Sequence, residues 1–202
     1  MLTCLCKILP LYSAIEMYLH KKPIPVEWKK PGYGWTKLNF DGSCKGPNGS
    51  WSSIGGLVRD HKAQFLLGYA ESIGPANSTL AELAALRRGL ELVVEHGLNQ
   101  RVWVEGDAKT LVDILEKRRE VRCLEVRRHI SHINSVILPE LENFVVSHIY
   151  REGNRAAHKF AQMGHHLDKP RIWRDVPPHE VLTIVHEDAQ GKIVLRRRGL
   201  AK

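Results

Sequence analysis

With 202 residues, 43% of them hydrophobic and 26% charged, the chain suits one soluble globular domain with extensions and enough apolar side chains for a sizeable core. A formal net charge of +8 favours polyanionic partners, because basic side chains against a phosphate backbone release condensed counterions. Four cysteines, Cys4, Cys6, Cys44 and Cys123, make neither a dense disulfide framework nor paired CxxC units, which argues for reduced thiols in an intracellular compartment and against a structural zinc site.

The opening text MLTCLCKILPLYSAIEMYLHKK is interrupted by Lys7, Pro10 and Glu16 and has no arginine, so it reads as neither a secretory signal nor a mitochondrial leader. No stretch reaches the roughly 20 apolar residues of a membrane span. Residues 1–34 end in KKPIPVEWKKPGYG, whose prolines, lysines and glycines predict a linker. Residues 37–41 (KLNFD) alternate and meet Gly42, predicting a strand that ends in a turn. After the loop CKGPNGS, residues 53–59 and 64–70 are two more strands joined by DHKA as a hairpin. From Thr79 the period becomes helical, with Leu83, Leu86, Leu90 and Val93 on one face up to His96-Gly97. A strand at 101–105 (RVWVE) follows, then a helix at 108–117 with Asp107 as its N-cap, and a helix at 124–138. A strand at 143–148 and a helix at 154–163 complete the domain, expected over 35–166; residues 167–202 read as a basic accessory tail. This order predicts an α/β fold whose sheet is antiparallel early and parallel later.

Three carboxylates stand out. Asp41 ends the first strand, Glu82 lies in the first turn of the long helix, and Asp107 follows the fourth strand. If the first and fourth strands are neighbours, the three meet at one rim, where they repel unless cations hold them; hard oxygen ligands suit magnesium. Each also has a structural reading. Thr79-Leu80-Ala81-Glu82 fits a capping box, Asp107 fits a helix cap, and Asp41-Gly42 fits a turn.

Four segments, FDGSCKGPNGSWSSIGGLVRD, TLAELAALRRGLELV, VEGDAKTLV and HIYREGNRAAHKFA, resemble in content and order the motifs of the ribonuclease H family. Within it the chain looks like the plant ribonuclease H-like proteins related to the domain trailing the reverse transcriptase of non-LTR retroelements, and RIWRDVPPHEVLTIV in the tail looks like the same group. The resemblance implies a five-stranded mixed sheet, its first three strands antiparallel, flanked by helices. It also implies four acids holding two magnesium ions for hydrolysis of the RNA strand of RNA–DNA hybrids. Asp41, Glu82 and Asp107 match the first three acids; the fourth position reads His158, in Asn154-Arg155-Ala156-Ala157-His158, where the family has aspartate. His148 matches the loop histidine that assists proton transfer or product departure, and could otherwise simply end a strand.

Imidazole in place of carboxylate removes a negative charge and offers nitrogen, which magnesium accepts less readily than manganese does. Weakened, manganese-favouring cleavage is therefore expected. The alternative is a catalytically silent nucleic-acid-binding module derived from a retroelement, with His158 an ordinary helix-face residue. A protein-interaction domain keeping only the fold is a third reading, disfavoured by the retained acids. Contacts to the hybrid's 2′-hydroxyls and backbone are expected from Gly42, Ser43, Cys44, Lys45, Asn48, Ser78 and Thr79, with Asn48 equally readable as simply making the turn. Phosphate contact is expected from the basic cluster Arg118, Arg119, Arg122, Arg127 and Arg128, although Glu116, Glu120 and Glu125 interleave it. Trp35, Trp51 and Trp103 are read as packing, and the other histidines as having no recognised zinc spacing. A monomer is expected, located in the nucleus or cytoplasm, without membrane association.

Overall fold

The computed structural model describes residues 22–116, 121 and 123–197. Cys4, Cys6, Arg118, Arg119, Arg122 and the last residues of the basic ending lie outside them. In chain order the elements are β1 (Ile24–Glu27), β2 (Thr36–Lys45), β3 (Trp51–Arg59), β4 (Phe65–Gly74), α1 (Ser78–Glu95), β5 (Arg101–Gly106), α2 (Lys109–Leu115), α3 (Leu124–His132), β6 (Asn143–His148), α4 (Arg155–Gly164), β7 (Arg171–Arg174), α5 (His179–Ala189) and β8 (Ile193–Arg196).

The main sheet has the order β6-β5-β2-β3-β4-β7. β2, β3 and β4 are antiparallel neighbours, while β5 and β6 extend the sheet from β2 in parallel. This is the expected mixed sheet with helices on its faces. It carries a sixth strand, β7, antiparallel to β4. Only four residues long, β7 has little periodicity of its own and forms because β4 would otherwise present an open edge.

One face of the sheet buries Leu38, Phe40, Val102 and Val104 against Leu83, Leu86 and Leu90 of α1. The helical spacing of those leucines puts them on one stripe, and the strand period puts every second sheet residue opposite it. On the other face α4 packs Ala156, Ala157 and Phe160 on Leu57 and Ala70, and α5 adds Val181 and Val185. Gly55 permits this approach, because a Cβ there would lie 2.2 Å from the Ala161 backbone nitrogen.

Several sequence expectations are corrected. β2 does not turn at Gly42 but runs on to Lys45, paired opposite residues 51–54. The helix expected over 124–138 ends at His132; a π turn and a 3-10 turn follow, the latter holding Pro139, which has no amide to donate. Residues 24–27, read as linker, form β1, which pairs antiparallel with β8 from the segment read as tail. Next to β1, Trp28 is buried over a charged layer of Lys37, Asn39, Arg59, Glu105 and Asp188, each 5% exposed or less. Segments on both sides of residues 35–166 thus contribute strands and buried side chains.

Candidate metal centre

Asp41 lies on β2, Glu82 in the second turn of α1 and Asp107 just past β5. β2 and β5 are parallel neighbours, with Phe40 opposite Gly106, so Asp41 and Asp107 leave the same rim. Glu82 joins them because α1 lies directly on β2. A Cβ on Gly42 would sit 2.4 Å from the Glu82 backbone nitrogen and 2.9 Å from the Ala81 Cβ. Gly42→Val is therefore expected to push α1 off the strand and cost about 2 kcal/mol, the usual scale of overpacking. A urea midpoint equal to the parent's would refute this.

One ligand oxygen from each of Asp41, Glu82 and Asp107 lies within 4.8 Å of the others. The structural readings of these acids do not hold. α1 is capped by Asn77, whose side chain accepts from the Leu80 amide at 2.9 Å, so Glu82 completes no capping box. α2 has Ala108 at its N-cap position with no side-chain bond, so Asp107 is not spent on a helix end. The turn reading of Asp41 fails with the continuation of β2.

The electrostatics of the cluster follow from burial and from mutual repulsion of its carboxylates. Burial first, then the charges of Asp41 and Asp107, pushes the Glu82 carboxyl up to about 10, and its Oε2 is buried without a hydrogen-bond partner. Burial and then Asp41 likewise raise Asp107, opposed by a 3.1 Å hydrogen bond from the Asn154 amide. An all-oxygen, anionic, partly buried set with an orphaned acceptor fits a hard divalent cation and does not favour a soft one.

A reverse transcriptase-like family model matches residues 39–164, well over half of the chain. The chain belongs to the ribonuclease H-like family. An Arabidopsis thaliana protein named, provisionally, as a ribonuclease H protein is 28% identical over 179 residues, which is 85% of this chain but 27% of that protein's length. The chain therefore spans about a quarter of that relative. Among solved structures, ribonuclease H1 of the archaeon Halobacterium salinarum shares the fold at 21% identity and a TM-score of 0.61, covering 64% of this chain and 96% of its own. LC11 ribonuclease H1, solved in complex with an RNA/DNA hybrid, is 26% identical with a TM-score of 0.59, covering 65% and 96%.

His158, the residue expected at the fourth acidic position, stands near the start of α4. Its Nδ1 lies 2.6 Å from Asp41 Oδ2, while Nε2 faces Arg151 at 2.9 Å and the Gln162 amide at 3.0 Å. A guanidinium can only donate, so Nε2 accepts and the ring proton sits on Nδ1, donated to Asp41. His158 thus buttresses the cluster through a carboxylate and is not one of its three converging oxygen donors. His148, opposite Gly106 on β6, packs edge-on to Tyr150 at 5.4 Å.

The expected substrate contacts divide. Ser78 and Thr79 line a cavity of about 260 Å³ with Glu82 and Lys109. Ser43 bonds His165 at 2.9 Å. The Cys44 thiol lies against Ser52 and the Ala76 carbonyl, and Gly42 is spent on helix packing. Asn48 is exposed with a left-handed φ of 53° in a 3-10 turn, and Lys45 is exposed. Arg127 and Arg128 are exposed on α3, Arg127 bonding the Val121 carbonyl. Trp51, read as packing, is 71% exposed; it opposes Lys45 at the strand end, beyond the reach of either core. Trp103 does pack, its face 3.3 Å from Lys37 Nζ.

Sequence reasoning missed Asn154 and Arg151. Asn154 is buried and ties the Phe40 carbonyl to Asp107; Arg151 anchors His158. The Asn154 signal was present, four residues before His158 in the family-like motif, but its bond to Asp107 spans 47 residues.

Proposed function

We propose that the chain is a metal-dependent endonuclease hydrolysing the RNA strand of RNA–DNA hybrids. The observation that carries this is the convergence of Asp41, Glu82 and Asp107 within 4.8 Å, in a chain of the ribonuclease H-like family. The LC11 enzyme, solved with a hybrid, supports the substrate class. Asp41, Glu82 and Asp107 would hold the cations, magnesium or manganese, which on binding neutralise phosphate charge and acidify a bound water. In the reaction water oxygen bonds to phosphorus, the bond to the 3′-oxygen breaks, and the product keeps a 5′-phosphate. His148, whose register partner Gly106 precedes Asp107, would handle the proton of the departing group. Ser78 and Thr79, which share a cavity with Glu82, and the exposed Lys45 and Asn48 would contact the hybrid, and Arg127 and Arg128 would contact its phosphates.

His158 weakens this site. Its Nδ1–H occupies an oxygen of Asp41 that a cation would otherwise share, and it brings no negative charge. That observation favours a second reading, a catalytically silent nucleic-acid-binding module derived from a retroelement. His158→Asp separates the two. Restoring the charge is expected to raise magnesium-dependent cleavage of a labelled hybrid about tenfold, and to narrow the manganese preference of the parent. Cleavage by the variant alone would leave the silent module standing for the parent. No cleavage by either protein in either metal would end the nuclease reading.

A further inference from the structure

We infer that a second nucleic-acid contact lies beyond the carboxylates: a cationic pocket between β2, α4 and β7 that takes the sugar–phosphate backbone of the strand engaged at the site. This deepens the nuclease reading and rests on it. The pocket encloses about 460 Å³, with Lys45, Lys159, His166 and Arg171 converging on it and Trp173 as an aromatic wall. None of those four side chains makes an ion pair among the described residues, whereas Arg59, Arg88 and Arg155 all do. Glu180 is the carboxylate on its lining, so the local charge is a net excess of cation. The same excess reaches His165, which burial and then Lys45 and His166 hold below the ordinary imidazole range. Arg171 lies 5.0 Å from the Trp173 ring, a pairing of guanidinium and indole that suits a nucleotide better than a bare anion.

The pocket is in line with the metal centre. Asp41, Ser43 and Lys45 point to the same face of β2, and Lys45 is about 13 Å from Asp41 at the usual rise of a strand. His158 and Gln162 mark a parallel row on α4, joined at 3.0 Å, and Gln162 lines the pocket. At about 3.4 Å of rise per nucleotide, that span is roughly four nucleotides. Arg171, Trp173 and Glu180 lie outside the segment that matches the family model, 39–164, whereas Lys45, Lys159 and Gln162 lie within it, so β7 and α5 complete the pocket on one side.

The test compares two hybrids, one extending about eight base pairs past the cleavage position on both sides and one ending about two past it. Binding is read by fluorescence anisotropy in chelator, and cleavage is read separately in magnesium and manganese. The parent is expected to bind the long hybrid about tenfold more tightly. In Lys159→Glu/Arg171→Glu that advantage falls to near one, and the slope of log K against log salt flattens by about 1.8, at 0.9 per phosphate contact. The milder Lys159→Gln/Arg171→Gln, whose fold is checked by its melting curve, is expected to lose the same slope with a smaller loss of affinity. An unchanged length advantage and salt slope in both variants would overturn the pocket while leaving cleavage, and hence the nuclease reading, intact. Length-dependent binding without cleavage by the parent would sustain the pocket and favour the silent nucleic-acid-binding module over the nuclease for this chain.

Discussion

Asp41→Asn is expected to lower hybrid cleavage about a thousandfold or more, equivalent to roughly 4 kcal/mol of transition-state stabilisation. Asparagine keeps the volume and an acceptor for His158 but removes the charge at the centre of the cluster, so the fold should survive while cation binding does not. The check is single-turnover cleavage together with calorimetric titration by magnesium and manganese. A variant that still binds either ion like the parent would show that Asp41 is not a ligand.

The same cluster gives a pH dependence of definite sign. Glu82 and Asp107 are held above the ordinary carboxylate range by burial and by their acidic neighbours, so each binds its proton more tightly folded than unfolded. The metal-free fold therefore loses stability as pH rises from the ordinary carboxylate range toward the raised values. A divalent cation binds the deprotonated cluster, so the rise in Tm that it produces should grow over that same window. Glu82→Gln is expected to stabilise the metal-free protein by about 1–2 kcal/mol, or roughly 2–8 °C, and to abolish the response to metal. A variant that melts lower than the parent in chelator would contradict the assignment.

Asp188→Ala is expected to be the most destabilising of the substitutions considered, at about 3–5 kcal/mol, because it leaves Arg59 buried without its carboxylate. Arg59 donates to Asp188 at 2.8 Å and to Asn39 at 3.0 Å, and stacks 3.5 Å from the Trp28 ring. Asn39 also takes a bond from Trp28 and gives one to Glu105, which pairs with Lys37 at 3.1 Å. This layer ties α5 and the segment after β1 to the centre of the sheet. Arg59→Met with Asp188→Leu should be much less damaging than either change alone, a positive coupling readable from urea midpoints. We propose on the same grounds that a chain ending at residue 166 does not retain the parent's stability, since it loses Asp188 and β7 together. Equal midpoints for the truncated and parent chains would place the domain boundary at 166 after all.

The amino-acid sequence by itself determined the interior of the domain and the identity of its acids. Alternation in residues 37–41 and 101–105 and the leucine stripe from Leu83 to Val93 are local periodicities, set by strand and helix geometry whatever the neighbours do. The spacing of Asp41, Glu82 and Asp107 within family-like text was enough to expect them at one rim. What only the tertiary structure decided is everything whose cause lies far along the chain. IPVE and IVLR are too short to declare themselves as strands and do so only by pairing with each other, and β7 needs the open edge of β4. Lys37 and Arg59 look like solvated charges until Glu105 and Asp188 arrive to balance them. His158 could be placed at the fourth acidic position from sequence, but not assigned its bond to Asp41, because a hydrogen bond between residues 117 apart is fixed by how α4 lies on the sheet and by nothing adjacent in the chain.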